Sequence, residues 1–145
     1  MTSAIDIRYA DDENAVRSCY PLMRQLRPHL DTAAEFLECW RRQHAEGYRI
    51  LALWEGSVPM AIAGIRTQHN MIYGCFLYVD DLVTEGSQRS HGYGAVLMAR
   101  LKEEASELGC RRLVLDSGLD NVLAHRFYYR NQLVASALHF GMQVD

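Results

Sequence analysis

The sequence predicts a mixed α/β (α+β) protein built on one central, mostly antiparallel sheet that carries a parallel strand pair and is flanked by helices. Three observations lead there. Two strand-like runs, residues 48 to 54 and 58 to 66, are separated only by a turn around Glu55-Gly56, which makes them an antiparallel hairpin. Further on, an apolar strand is followed by a glycine-bearing turn, a long stretch of helical period and a second strand at residues 111 to 116; a helix of crossover length makes those two strands parallel. Finally, 145 residues form a single domain over 1–145, able to bury roughly 70% of the unfolded surface without a disulfide or a metal.

Each element has its own justification. Residues 4 to 9 alternate enough for a first strand, with Ile5 and Ile7 on one face. Asp11 and Asp12 offer caps to a helix over 13 to 26, where Val16, Cys19, Leu22, Met23 and Leu26 recur at three and four, and Pro28 stops it. Asp31 or Thr32 caps the next helix, whose inward face is Ala34, Leu37 and Trp40 with Phe36 beside them, and Gly47 ends it. After the hairpin, in which Pro59 sits at a tolerated strand end, residues 67 to 70 are polar and turn-like. Residues 71 to 84 read as one long strand, interrupted early by Gly74 and later by Asp80-Asp81. Leu97, Met98, Leu101, Ala105 and Leu108 give the following helix its apolar side, and Gly109 closes it. Residues 133 to 140 read as a last strand, an edge available for dimerisation.

Composition removes several functions. Lys+Arg 15 against Asp+Glu 18 gives a net charge of −3 without a basic block, so no nucleic-acid partner is expected. Cys19, Cys39, Cys75 and Cys110 are scattered, with no C-x-x-C pair, and read as reduced, mostly buried small hydrophobes. The six histidines show no zinc-ligand spacing, so no metal site is expected. With neither a basic-then-apolar leader nor a run of membrane length, the expectation is a soluble cytoplasmic protein with no membrane partner.

The chain is organised around residues 76 to 107. Strict alternation would drive either Asp80 or Asp81 into a packed layer, and a β-bulge at this point would re-aim one of them. Beyond the strand comes Arg89-Ser90-His91-Gly92-Tyr93-Gly94, opening straight into a helix. Glycines admit a close backbone approach, the unpaired amides and dipole of a helix start favour an anion, and Arg89 and His91 add positive charge, so the turn reads as a phosphate cradle. It is neither G-x-G-x-x-G nor a P-loop, which argues against a generic nucleotide-binding domain. A second motif follows at Asn121, Ala124, Phe127 and Tyr128, spaced N-x-x-A-x-x-F-Y. Tyr129 lies about 100° further round that helix and serves as its internal control.

Taken together, R-x-x-G-x-G and N-x-x-A-x-x-F-Y resemble the Gcn5-related N-acetyltransferase (GNAT) superfamily over roughly residues 76 to 140. The wording LDSG, AHRFY and ALHF looks like a bacterial subgroup of unassigned substrate. The resemblance implies the GNAT fold, with a bulge that splays the parallel pair, and acetyl-coenzyme A as co-substrate. It implies cofactor contacts from Leu82, Val83 and Thr84, from Arg89, Ser90, His91, Gly92, Tyr93, Gly94 and Ala95 in the cradle, and from Asn121. The reaction implied is transfer of an acetyl group to a primary amine of a small molecule or peptide by direct attack in a ternary complex. An alkylamine of pKa ~10 is protonated at neutral pH, so a base must act, and Asp81 and Asp80 are the candidates. Tyr128 would return a proton to the departing thiolate. A homodimer follows from family analogy alone. The chain departs from the family at Gln132-Leu133, where a Gly-Phe pair is common, which leaves open a non-catalytic acyl-coenzyme A-binding sensor or interaction domain.

Overall fold

Among the described residues of the computed structural model, which are 4–85 and 91–145, five strands form one sheet in the order β1-β2-β3-β4-β5. The elements run β1 (Ile5–Ala10), α1 (Glu13–Ser18), α2 (Tyr20–Leu26), α3 (Ala33–Ala45), β2 (Arg49–Glu55), β3 (Val58–Asn70), β4 (Gly74–Thr84), α4 (Tyr93–Glu107), β5 (Arg112–Leu115) and α5 (Val122–Arg130). Neighbours from β1 to β4 pair antiparallel, and β5 completes the expected parallel pair with β4. The chain divides into two compact units, Met1–Val114 and Leu115–Asp145.

In the first unit the sheet is covered on both faces. Ile50, Ala52 and Trp54 of β2 join Val16, Leu22, Met23, Phe36, Leu37 and Trp40 from α1 to α3 in one buried cluster. Helix α4 packs on β2, β3 and β4 and buries Leu97, Met98, Leu101 and Ala105. Because β2 is covered on both sides, Leu51 and Leu53 are as buried as Ile50, and each such side chain contributes about 1.5–3 kcal/mol. Among the described residues no helix is long and apolar enough to cross a membrane.

The structure differs from the sequence expectations at several points. The helix expected over 13 to 26 is two helices that meet at Cys19. Pro21 lies in the first turn of α2 and has no N–H to carry an α-helical ladder across the junction. On α3, Ala34 is exposed, while Phe36, Leu37 and Trp40 face inward. Ile5, at the free end of edge strand β1, is exposed too, and so is Leu108 at the α4 terminus.

The turn expected at 67 to 70 is strand. Strand β3 runs on to Asn70, whose Oδ1 accepts from the amides of Ile72 and Tyr73 and so turns the chain at Met71–Tyr73. The apolar Met71 and Ile72, expected in a strand, stand exposed at this tip, and Gly74 (φ 68°) starts β4. Residues 133 to 140 form no strand. Without a ladder partner, a β-patterned segment has nothing to close its hydrogen bonds, and Val134, Leu138, Phe140, Met142 and Val144 remain exposed.

Candidate functional site

The β3–β4 ladder breaks where the aspartates lie. Gly64 pairs with Asp81 and Ile65 with Val79, so Asp80 is the extra residue of a β-bulge. The bulge lets both carboxylates find polar partners beside an apolar core.

Asp81, only 8% exposed, is served by two elements outside its own strand. The first is the end of α3, where Gly47 (φ 100°) takes a left-handed conformation. Its N–H bonds to the His44 carbonyl while that of Tyr48 bonds to the Gln43 carbonyl, the paired pattern of a Schellman cap. That cap fixes Tyr48, whose hydroxyl donates a 2.7 Å bond to Asp81 Oδ2. The ring lies so close over Gly64 that a Cβ there would overlap it. Burial and the Asp81 charge raise the Tyr48 pKa well above the ordinary tyrosine value, so the hydroxyl remains a donor. The second element is the end of α2, where Arg27 donates from Nε to Asp81 Oδ1 (3.0 Å) and from Nη2 to the Asp80 carbonyl (2.9 Å).

Asp80 is held by Arg66 of β3 in a two-pronged pair, Nε to Oδ2 at 2.7 Å and Nη2 to Oδ1 at 2.8 Å. The Arg66 guanidinium also lies over the Tyr78 ring, 5.3 Å from its centroid. Side-chain exposure is 19% for Asp80 and 10% for Asp81, so the bulged residue is the more accessible carboxylate.

Beyond the bulge, β4 carries Leu82, Val83 and Thr84, whose partners on β3 are Ala63, Ile62 and Ala61. Arg89 and Ser90 lie outside the described residues. The turn into α4 is described from His91, whose ring stacks on Tyr93 with centroids 5.7 Å apart. Gly92 (φ 75°) is the helix N-cap: it brings no capping side chain, its missing Cβ would meet nothing within 4 Å among the described residues, and the first turn holds no acidic residue. Gly94 is buried and Ala95 follows it in the first turn of α4. These are the conditions an anion needs at a helix start.

In the second unit, Asn121 caps α5, its Oδ1 accepting from the Ala124 amide at 3.4 Å. Ala124, Phe127 and Tyr128 are half-buried, whereas Leu123 is 76% exposed. Tyr128 stacks edge-on against Phe127, and burial raises its pKa. Tyr129 is 57% exposed. His125 is locally bonded, donating from Nε2 to the Gly118 carbonyl at 2.8 Å, and His139 Nδ1 lies 3.0 Å from Asp116. Gln132 (φ 71°) occupies the left-handed position of another Schellman cap: its N–H bonds to the Tyr129 carbonyl and that of Leu133 to the Tyr128 carbonyl.

Arg27, Tyr48, Gly64 and Arg66 were not among the expected site residues. A usable signal existed for one of them, since an isolated glycine inside an apolar strand marks a close approach. The arginines and Tyr48 meet the aspartates only through tertiary structure.

The pattern of the acetyltransferase (GNAT) family matches residues 13–132. An uncharacterized N-acetyltransferase of Bacillus subtilis (strain 168), YhdJ, is 34% identical over 109 residues, which are 75% of this chain and 77% of that protein. Two solved structures share the fold. The aminoglycoside N-acetyltransferase AAC(6')-Iy in complex with CoA superposes with a TM-score of 0.85 at 16% identity, over 99% of this chain and 97% of that one. A transcriptional regulator from Bacillus halodurans C-125 gives 0.84 at 17% identity, over 97% and 100%. Two such different proteins on one fold carry no substrate across, but the sequence matches do carry the family: this chain is a member of the GNAT acetyltransferases.

Proposed function

We propose that the protein is an N-acetyltransferase that moves the acetyl group of acetyl-coenzyme A to a primary amine of a small molecule or peptide, by direct attack in a ternary complex. The observation that carries this reading is the β4 bulge at Asp80, set just before Leu82–Thr84 and the glycine-capped start of α4. In this reading the strand groups of Leu82, Val83 and Thr84 bond the pantetheine amides as an added strand would, and a Leu82 or Val83 amide meets the oxygen that gains charge during attack. The turn from Arg89 to Ala95, through Ser90, His91, Gly92, Tyr93 and Gly94, holds the pyrophosphate, and Asn121 contributes a further polar contact. Asp80, the more accessible carboxylate, takes the amine proton through a water; Asp81 is the alternative base. Tyr128, kept protonated by its burial, supplies the proton to the departing thiolate.

A second reading, an acyl-coenzyme A-binding sensor without turnover, draws on the fact that both aspartates already have arginine partners. Isothermal titration of acetyl-coenzyme A into wild type and Gly92→Glu, with a thiol-release screen against a panel of amines, separates the two. Binding weakened by the substitution, with thiol released by some amines, supports the transferase. Binding without turnover for any amine supports the sensor, and no binding in wild type removes both.

We further propose that residues 133 to 145 pair with a second copy of the chain. Val134, Leu138, Phe140, Met142 and Val144 share one strand parity and are all at least 65% exposed. Light scattering of wild type and Phe140→Ser tests this, a monomeric wild type being the result against it.

A further inference from the structure

Two thiols outside the proposed site meet in the first unit: Cys75 Sγ and Cys110 Sγ are 2.8 Å apart. Neither position is accidental. Cys75 is the second residue of β4, held in the β3 ladder opposite His69. Cys110 follows α4, where Gly109 (φ 79°) donates to the Ser106 carbonyl and Cys110 to the Ala105 carbonyl, another Schellman cap. Both backbones are pinned on packed elements, so the sulfurs are held together. A disulfide needs an S–S separation of about 2 Å, so roughly 0.8 Å of closure suffices.

We propose that Cys75 and Cys110 form a modification site: a dithiol oxidised by hydroperoxides to an intramolecular disulfide that ties the start of β4 to the end of α4. Cys75 is partly exposed and meets the oxidant, whereas Cys110 is buried. The Cys75 thiolate attacks the peroxide O–O bond, becoming a sulfenic acid while the other oxygen leaves as alcohol or water. The Cys110 sulfur then attacks the Cys75 sulfur, forming the S–S bond and breaking the S–O bond. The Cys110 thiol proton and the departing hydroxyl leave as water. Two thiols give up two electrons in all, and one peroxide takes them up. Desolvation and the Cys75 contact push the Cys110 thiol up to about 11, which suits a residue that enters protonated. Cys19 is buried and pushed up to about 12, and Cys39 is exposed on α3, so they are the built-in controls.

The test is one equivalent of hydrogen peroxide on the full chain, alkylation of remaining thiols, and a non-reducing tryptic map. Cleavage after Arg66, Arg89, Lys102 and Arg111 places the two cysteines on separate peptides, 67–89 and 103–111. Expected is a linked 67–89/103–111 pair, with the intact protein lighter by two hydrogens and the link lost on adding dithiothreitol. Cys75→Ser should show no such mass loss and keep Cys110 open to alkylation after unfolding. Oxygen adducts on Cys75 without the link, linkage only through Cys39, or loss of two hydrogens in Cys75→Ser would each overturn the proposal. The wild-type map stands even if a serine variant folds poorly.

Discussion

The Tyr48 hydroxyl reaches Asp81 across the bare Cα of Gly64, the residue that pairs with Asp81 in the ladder. Three residues from α3–β2, β3 and β4 thus share one contact in a region with no spare volume. Gly64→Ala should destabilise the protein by about 1–3 kcal/mol, because the Tyr48 ring is fixed by the α3 cap and cannot withdraw. Tyr48→Phe should cost about 1–3 kcal/mol by leaving a buried carboxylate one partner short. Urea unfolding measures both; a neutral Gly64→Ala would mean that the ring is free to move.

The two aspartates should separate under amide substitution. Asp81→Asn removes the anion from a buried cluster, and its main effect should be on stability, about 1–3 kcal/mol in urea. Asp80→Asn should cost less stability than Asp81→Asn, because its side chain is the more exposed of the two, and should lower kcat. A kcat unchanged in Asp80→Asn would place the proton relay elsewhere.

Tyr128→Phe should lower kcat roughly 100- to 10,000-fold with little change in coenzyme affinity, and Tyr129→Phe should do neither. Burial raises the Tyr128 pKa, so it holds its proton throughout the neutral range and any loss of acid function falls on the alkaline side. Steady-state kinetics of both variants decide the matter, and equal small effects would take Tyr128 out of this role.

Gln132 carries a side chain in a left-handed conformation that glycine adopts without strain. Gln132→Gly should stabilise the protein by about 0.5–1 kcal/mol, the relief being partly offset by the greater freedom of glycine in the unfolded chain. Thermal melts suffice; a lowered Tm would show that the Gln132 side chain has contacts worth more than its strain.

Tyr9 joins β1 to α4 through a 3.0 Å bond to Glu104, and burial with that bond raises its pKa from 10.0 to about 12. The folded state holds this proton more tightly than the unfolded one. Its contribution is therefore complete below pH 10 and is lost as pH rises toward 12. Melts across that window should fall less steeply for Tyr9→Phe than for wild type.

What the sequence made legible was local. The hairpin at Glu55-Gly56, the Gly92 helix start and the Asp80–Asp81 bulge each follow from rules that operate within a few residues, and each is present. The misreadings have the same origin. Apolar Met71 and Ile72 looked like strand because their pattern did not register the Asn70 side chain as the turn former. The 13–26 periodicity was continuous although Pro21 broke the backbone beneath it. Residues 133 to 140 had strand alternation but no partner, and alternation does not supply one. The aspartates were found without their arginines because Arg27 and Asp81 lie 54 residues apart, and no periodicity spans that distance.

The pairing of two aspartates with two arginines bears on how an acceptor arrives. A cluster that cancels its own charge casts little field into the solvent, so it cannot draw a cationic amine from beyond a Debye length of about 8–10 Å. In the proposed reaction this cluster would then add little steering or salt dependence of its own, and its part in discriminating among amines would fall to the shape of the walls that they meet at close range.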